Sequence, residues 1–251
     1  MSFIRFNIAP LVLGAACILA ASSAGAATVA YYKWENGVAG ARAHGQGVIA
    51  DSSGNGIDGW ASGGLKYEAA RNPDSTLAMH FDGKSGRVWV PDNPLLELTH
   101  SLTLEAYVYV PDHSGGGAIV TRSDDRYDWD PYYLAVTSRG ILVFLVEQEP
   151  SQGPSSYILS PHALALNRWI HVAGTLDDAT GVQALYVNGA LVASTTTTVR
   201  PFGKLLDHHH AGLGIGAGIK GSPDDGHTRA SIDDLRISDV ALDPSQFLPP
   251  P

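Results

Sequence analysis

Cysteine is almost missing from this 251-residue chain: Cys17 is the only one. A lone thiol closes no internal disulfide, so a fold made from this sequence must be held by its core, with or without help from a metal. Basic charge is also short, with 16 Lys and Arg against 25 Asp and Glu and a formal net charge of −9. That balance makes nucleic acid and anionic membrane poor partners. No window keeps apolar residues at i, i+3, i+4 and i+7 over three turns, which argues against a helical bundle. Glutamate is scarce: past residue 26 it occurs only at 35, 68, 97, 105, 147 and 149. Few candidates therefore exist for a carboxylic acid tuned to give up a proton during catalysis.

What is present begins with MSFIRFNIAPLVLGAACILAASSAGAA, in which Arg5 precedes a short apolar run ending in Ala24-Gly25-Ala26. This is the pattern of a secretory signal peptide, so residues 1–26 are set apart from the fold, with cleavage expected near Ala26 and a secreted, periplasmic or extracellular destination. The run is too interrupted for a spanning helix, and no membrane span is expected in the mature chain. Cys17 follows Gly14-Ala15-Ala16, without the leucine usual at the first of these positions in lipoprotein signals, which argues against lipidation. Loss of Arg5 takes the formal charge from −9 to −10.

From residue 27 to 251 almost every segment alternates with period two and is cut by Gly, Asn, Asp or Pro. The chain reads as all-β. Candidate strands are VAYYKW, TLAMHF, GRVWVP, SLTLEAYVYV, GAIVTR, YYLAVT, GILVFLVEQ, RWIHVAGTLD, VQALYVNG, ALVASTT, AGLGIGA and ASIDDLRIS. Asn188-Gly189 in LYVNGALV suits a hairpin turn whose central residues need positive φ. In SLTLEAYVYV one parity is aliphatic, while the other carries Thr103, Glu105, Tyr107 and Tyr109 and predicts a polar, aromatic face. ILVFLV is apolar on both parities and predicts a strand covered on both sides. About a dozen such strands are best buried as a two-sheet antiparallel jelly-roll β-sandwich, and residues 27–251 show no linker or repeat that would divide it.

Two loops stand out chemically. DSSGNGIDG, Asp51 to Gly59, starts like a calcium-binding EF-hand loop, with oxygen-bearing residues and glycine at position six. The twelfth position is Ser62 instead of a bidentate glutamate, and no helices flank it, so the EF-hand reading fails. RSDDRYDWDPYY, Arg122 to Tyr133, gathers acids, arginines and aromatics between two strands. Rings that stack on sugar CH faces beside groups that bind hydroxyls make a selective lining, and Arg122, Arg126, Trp129, Asp130 and Tyr132, with Tyr107 on the sheet face, are the candidate ligand contacts. His171 alternates with core residues and reads as a structural hydrogen-bonder. His208, His209 and His210 read as an exposed loop, because neighbouring residues on extended backbone point to opposite sides.

Taken in order, DSSGNGIDG, LAMHFDG, SLTLEAYVYV, RWIHVAGTLD, LYVNG and SIDDLRISDVAL resemble the bacterial laminin G-like domains of the concanavalin A-like lectin/glucanase superfamily. The resemblance implies a curved sandwich with a ligand-facing concave sheet and a structural Ca²⁺ near the ends of the first and last strands. On that basis Asp51 and Asn55 of the glycine-rich loop, Asp82, and Asp233 or Asp234 are the expected metal ligands. Activity is not implied, because the superfamily holds binders, adhesion modules and enzymes alike. Retaining glucanases of the superfamily carry E-x-D-x-x-E or a close variant along one strand, and no such motif occurs here. The first expectation is a secreted, non-enzymatic glycan-binding or adhesion module. The alternatives are a polysaccharide hydrolase or lyase using Glu105 and Glu147 as its carboxylate pair, and a protein-binding domain of the cell surface.

Overall fold

Alternating strands bury one face each, and here two antiparallel sheets bury those faces against each other. The computed structural model describes residues 28–249 except 73–74, 125–129, 149–152, 207–209 and 219–225. Among the described residues the strands are β1 Thr28–Tyr32, β2 Gly45–Ile49, β3 Gly59–Ser62, β4 Lys66–Asn72, β5 Ser75–Asp82, β6 Arg87–Pro91, β7 Leu102–Tyr109, β8 Gly117–Ser123, β9 Tyr132–Val136, β10 Ile141–Glu147, β11 Ser155–Ala163, β12 Trp169–Leu176, β13 Val182–Val187, β14 Ala190–Thr196, β15 Gly212–Ile215 and β16 Arg229–Ser238. Sheet A runs β14-β13-β12-β7-β16-β5-β4, with β1 also paired to β16, and sheet B runs β11-β10-β9-β8-β15-β6-β3-β2. The all-β, two-sheet antiparallel sandwich expected of the sequence is what forms.

Register explains the core. Ile158, Phe144, Leu134, Val120, Ile215, Val88 and Ala61 are successive cross-strand partners in sheet B, and all are buried in the central cluster. From sheet A, Leu104 and Leu102 of β7 join the same cluster, as do Ile170 and Val172 of β12. Gly174 sits opposite Leu104, and a Cβ placed there would lie 2.6 Å from the Phe144 ring. The two sheets close to full contact at that point because position 174 has no side chain.

The closing strand β16 serves two neighbours along one edge. Its first half pairs with β5 and its second half with β1, and the change of partner falls where the register against β7 shifts between Asp233 and Arg236. Asp234 takes φ 51° at this bulge, a left-handed conformation that aspartate tolerates better than bulkier residues. The Asn188-Gly189 turn has φ 51° and 75°, as its hairpin requires.

Two sequence expectations are corrected. Four strands, β2, β3, β4 and β11, lie outside the candidate segments: GQGVI has little apolar patterning, and β11 carries Pro161 among polar residues. Strand β7 is covered on both sides, since every residue from Leu102 to Val108 is buried. Its polar parity is therefore not an open face. Gly174→Val should overpack the interface against Phe144 and cost about 1–3 kcal/mol; thermal denaturation should show a melting temperature lower by several degrees, with the strand content of the remaining native protein unchanged.

Candidate functional site

The expected metal ligands are dispersed. The Asp51 carboxylate accepts from the Tyr31 and Ser53 amides at 2.9 Å each, from Ser53 Oγ at 2.6 Å and from the Ile57 amide at 3.1 Å. Those donors fill about four lone-pair sites, which is what a carboxylate offers. Asn55 turns its Nδ2 to the carbonyls of Thr28 and Val29. Asp82 is occupied in the same way, by the amides of Lys84, Ser85 and Gly86 and by Ser85 Oγ. Asp82 lies opposite Arg229 at one end of β16, whereas Asp51 binds Tyr31, which lies opposite Arg236 near the other end. At the rise of an extended strand this separates them by roughly 20 Å. At the bulge, Ser75 Oγ donates to Asp233 at 3.0 Å and the Tyr31 hydroxyl to Asp234 at 2.7 Å. Among the described residues no group of three or more His, Cys, Asp or Glu side chains is placed to hold a metal. As placed, Asp51, Asn55, Asp82, Asp233 and Asp234 do not fit one calcium ion, which needs six to eight converging oxygens.

The proposed carboxylate pair is also separated. Glu105 is on the outward side of sheet A and fully buried. It accepts from His171 Nε2 at 2.8 Å, Arg236 Nε at 2.7 Å and the Leu248 amide at 2.9 Å, under a C-terminal segment whose Leu242 and Phe247 pack on Ala173. Glu147 ends β10 in the other sheet, opposite Ser155. Val146 belongs to the inward parity, so Glu147 is on the outward face of sheet B. Two outward faces of a sandwich are separated by more than the roughly 10 Å between sheets, too far to flank one glycosidic bond. His171 is the structural hydrogen-bonder its alternation suggested.

Three candidate ligand contacts are interior. Arg122 is fully buried, where it binds Asp92 through Nε and Nη2 at 3.1–3.2 Å and the Gly203 carbonyl through Nη1 at 2.5 Å. It shares the inward parity of β8 with Val120. Tyr132 is equally buried and donates its hydroxyl to Leu96 O at 2.9 Å; burial raises its pKa well above the ordinary range. Tyr107 is buried beside His171, ring centroids 5.3 Å apart. Arg126 and Trp129 lie outside the described residues, as do His208 and His209. Asp130 is described and half-buried, accepting from Thr121 Oγ1 at 3.0 Å.

The open surface is the outward face of sheet B. There Tyr157, Leu145, Tyr133, Thr121, Gly214, Trp89 and Trp60 are successive cross-strand partners, one row across seven strands. Tyr157 is 62% exposed and Trp60 37%. The Trp60 and Trp89 rings meet edge to face with centroids 4.8 Å apart, and the Trp89 indole donates to the carbonyl of exposed His210. Burial, then the charges of Asp130 and Glu147, raise the Tyr133 pKa. The row therefore joins aromatic surfaces to hydrogen-bonding groups. Its sequence signal is the aromatic on the parity opposite the core, as in Val88-Trp89-Val90. A second, smaller feature is a cleft of about 230 Å³ lined by His171, Asn188, Gly189, Pro244, Phe247 and Leu248.

Comparison with known proteins follows this geometry. The laminin G model of the Concanavalin A-like lectin/glucanases superfamily matches residues 82–246. No curated protein matches the chain in sequence. Among solved structures, domain 4 of AbnA, a GH43 extracellular arabinanase from Geobacillus stearothermophilus, in complex with arabinotriose, superposes with a TM-score of 0.62 at 20% identity, covering 88% of this chain and 96% of that one. The binding domain of Paraclostridial Mosquitocidal Protein 1 gives 0.64 at 14% identity, covering 88% and 50%. The binding domain of Botulinum Neurotoxin DC in complex with SialylT gives 0.59 at 15%, covering 87% and 49%. The chain spans about half the length of the toxin binding domains it matches, and at these identities the likeness is one of fold.

Two measurements check the buried chemistry. Glu105→Gln removes the charge that Arg236 faces and should cost about 3 kcal/mol or more, seen as a melting temperature lower by roughly 10 °C. For Asp51, burial alone would raise the pKa, but bonds from the Ser53 hydroxyl and the Ser53, Tyr31 and Ile57 amides outweigh it and hold the value below the ordinary range. A depressed folded pKa adds stability above the unfolded value near 4 that is lost as pH falls through the folded value. Asp51→Asn should thus be less stable than the parent in urea at pH 7, and the gap should narrow as pH falls below about 4.

Proposed function

The chain belongs to the concanavalin A-like lectin/glucanases superfamily, and from that premise we propose that it is an exported glycan-binding module whose binding surface is the outward face of sheet B. The observation that carries this reading is the row from Tyr157 to Trp60. Large aromatic side chains left partly exposed on a sheet face offer stacking surfaces for sugar rings. The solved neighbours lend support, since their descriptions name arabinotriose for the arabinanase domain and SialylT for the toxin domain. Export rests on the N-terminal pattern of Arg5, an apolar run and Ala24-Gly25-Ala26. Glu105 and Glu147 take no hydrolytic role in this reading, because they occupy opposite outer faces of the sandwich.

Glycan-array screening followed by calorimetry tests the proposal. The folded protein should bind at least one oligosaccharide, and Tyr133→Ala should weaken that binding about tenfold, the loss expected for one stacking contact. A folded protein that binds no glycan, or a Tyr133→Ala variant with undiminished affinity, would remove this face from the function.

A further inference from the structure

The row on sheet B is continuous in register but not in surface. A Cβ on Gly214 would meet Ala217 O at 2.3 Å, so the chain at Ala217 and Gly218 passes directly over the middle of the row. Position 214 must be glycine for that crossing. To one side lie Trp89 and Trp60, in edge-to-face contact at 4.8 Å. To the other lie Tyr133 and Tyr157, two strands apart with Leu145 between them. The face is thus two aromatic platforms separated by a covered stretch at Thr121 and Gly214.

Strand spacing gives the scale. Neighbouring strands stand about 4.8 Å apart, so Tyr133 and Tyr157 are roughly 10 Å apart, and Tyr157 and Trp60, six spacings apart, roughly 29 Å along the sheet. One sugar ring is about as wide as one strand spacing, roughly 5 Å. A mono- or disaccharide can occupy one platform only. A chain of about six sugars laid across the strands reaches both.

Charge narrows the ligand further. Asp130 and Glu147 flank the tyrosine platform, and both oppose ionisation of Tyr133. Arg87 lies on the same face of β6 as Trp89, two residues away and half-buried. A polyanionic glycan would approach a protein of net charge −9 and be repelled by it. An uncharged chain stacks on both platforms without that repulsion.

Building on the glycan-binding reading, we infer that sheet B binds neutral, linear oligosaccharides perpendicular to its strands, with the Trp60-Trp89 pair and the Tyr133-Tyr157 pair as two subsites bridged by one chain. The subsites are coupled only through a ligand long enough to touch both, so affinity rises with chain length.

Calorimetry with arabinobiose, arabinotriose and arabinohexaose, and with the matching gluco-oligosaccharides, tests this; sialyllactose and hexagalacturonate serve as charged comparators. For at least one neutral series the hexamer should bind at least tenfold more tightly than the dimer. Trp60→Ala and Tyr157→Ala, at exposed positions that leave the fold intact by circular dichroism, should each weaken the hexamer at least fivefold, while a given dimer loses affinity to only one of them. Equal affinity for dimer and hexamer, a hexamer indifferent to either substitution, or tighter binding of the charged comparators would overturn the inference and leave glycan binding standing. A folded protein that binds none of these ligands, nor any glycan on an array, would overturn the binding proposal itself.

Discussion

A carboxylate with no exposed surface has to be neutralised where it sits, and in this fold that carboxylate is Glu105. It lies in the middle of sheet A and gathers donors from three directions: His171 on one neighbouring strand, Arg236 on the other, and the Leu248 amide from above. Removing any one donor leaves charge or lone pairs without water, which is costly in a low-dielectric interior. The three bonds therefore act together to bind the central strands to the C-terminal segment. Arg236 also donates to the Gln246 carbonyl, while Phe247 packs against the His171 and Tyr186 rings at 5.5 and 5.1 Å. Once this segment is seated, the outward face of sheet A is closed around Glu105, and an extended ligand has the outward face of sheet B available to it.

The same saturation recurs at the turns. Asp82 takes its four donors from Lys84, Ser85 and Gly86, and Asp51 takes three from Ser53 and Ile57 of its own loop and one from Tyr31 of β1. In a protein with one cysteine, these internal ties do the work that disulfides or bound ions do in other folds. Each fills a carboxylate with N–H and O–H donors, which leaves few lone pairs for a cation. At the bulge, Asp233 and Asp234 are bonded instead by residues distant in sequence. The bulge lets one strand change partners from β5 to β1 while its two acids are bonded by Ser75 and Tyr31.

Period-two alternation was enough to read the all-β class, the sandwich and most strands, because burial on one face imposes it on each strand separately. It could not show what covers a face. Thr103, Glu105 and Tyr107 lie on the polar parity of β7 and looked like an open ligand surface, yet a segment more than a hundred residues away lies over them. Arg122 misled in the opposite way. A guanidinium in a loop-flanking position suggests a rim, but its parity on β8 turns it inward onto Asp92. Both errors concern long-range contacts, about which local pattern carries no information. The Trp60-Trp89-Tyr133-Tyr157 row was hidden for a related reason. Each aromatic sits alone on the outward parity of its own strand, and only the register of seven strands brings the four into line. Strands β2 and β3 were missed because glycine and short length blur their alternation.

In the proposed function stability and recognition occupy different faces, and the physical reason is the direction in which each face is satisfied. Glu105, Arg122 and Tyr132 have their polar atoms met inside the protein, so a substitution there is felt throughout the fold and carries little information about ligands. Trp60 and Tyr157 retain 37% and 62% of their surface in water. Their rings add little to the core, since the area that would be buried on folding stays exposed. A sequence selected only for stability gains little from large aromatics at those positions, whereas a surface that must bury sugar CH groups gains from them directly. The buried carboxylate that closes one face of the sandwich and the aromatic row on the other are in this sense two halves of one arrangement: the first makes the scaffold rigid, and the second uses that rigidity to hold its rings at fixed strand spacings.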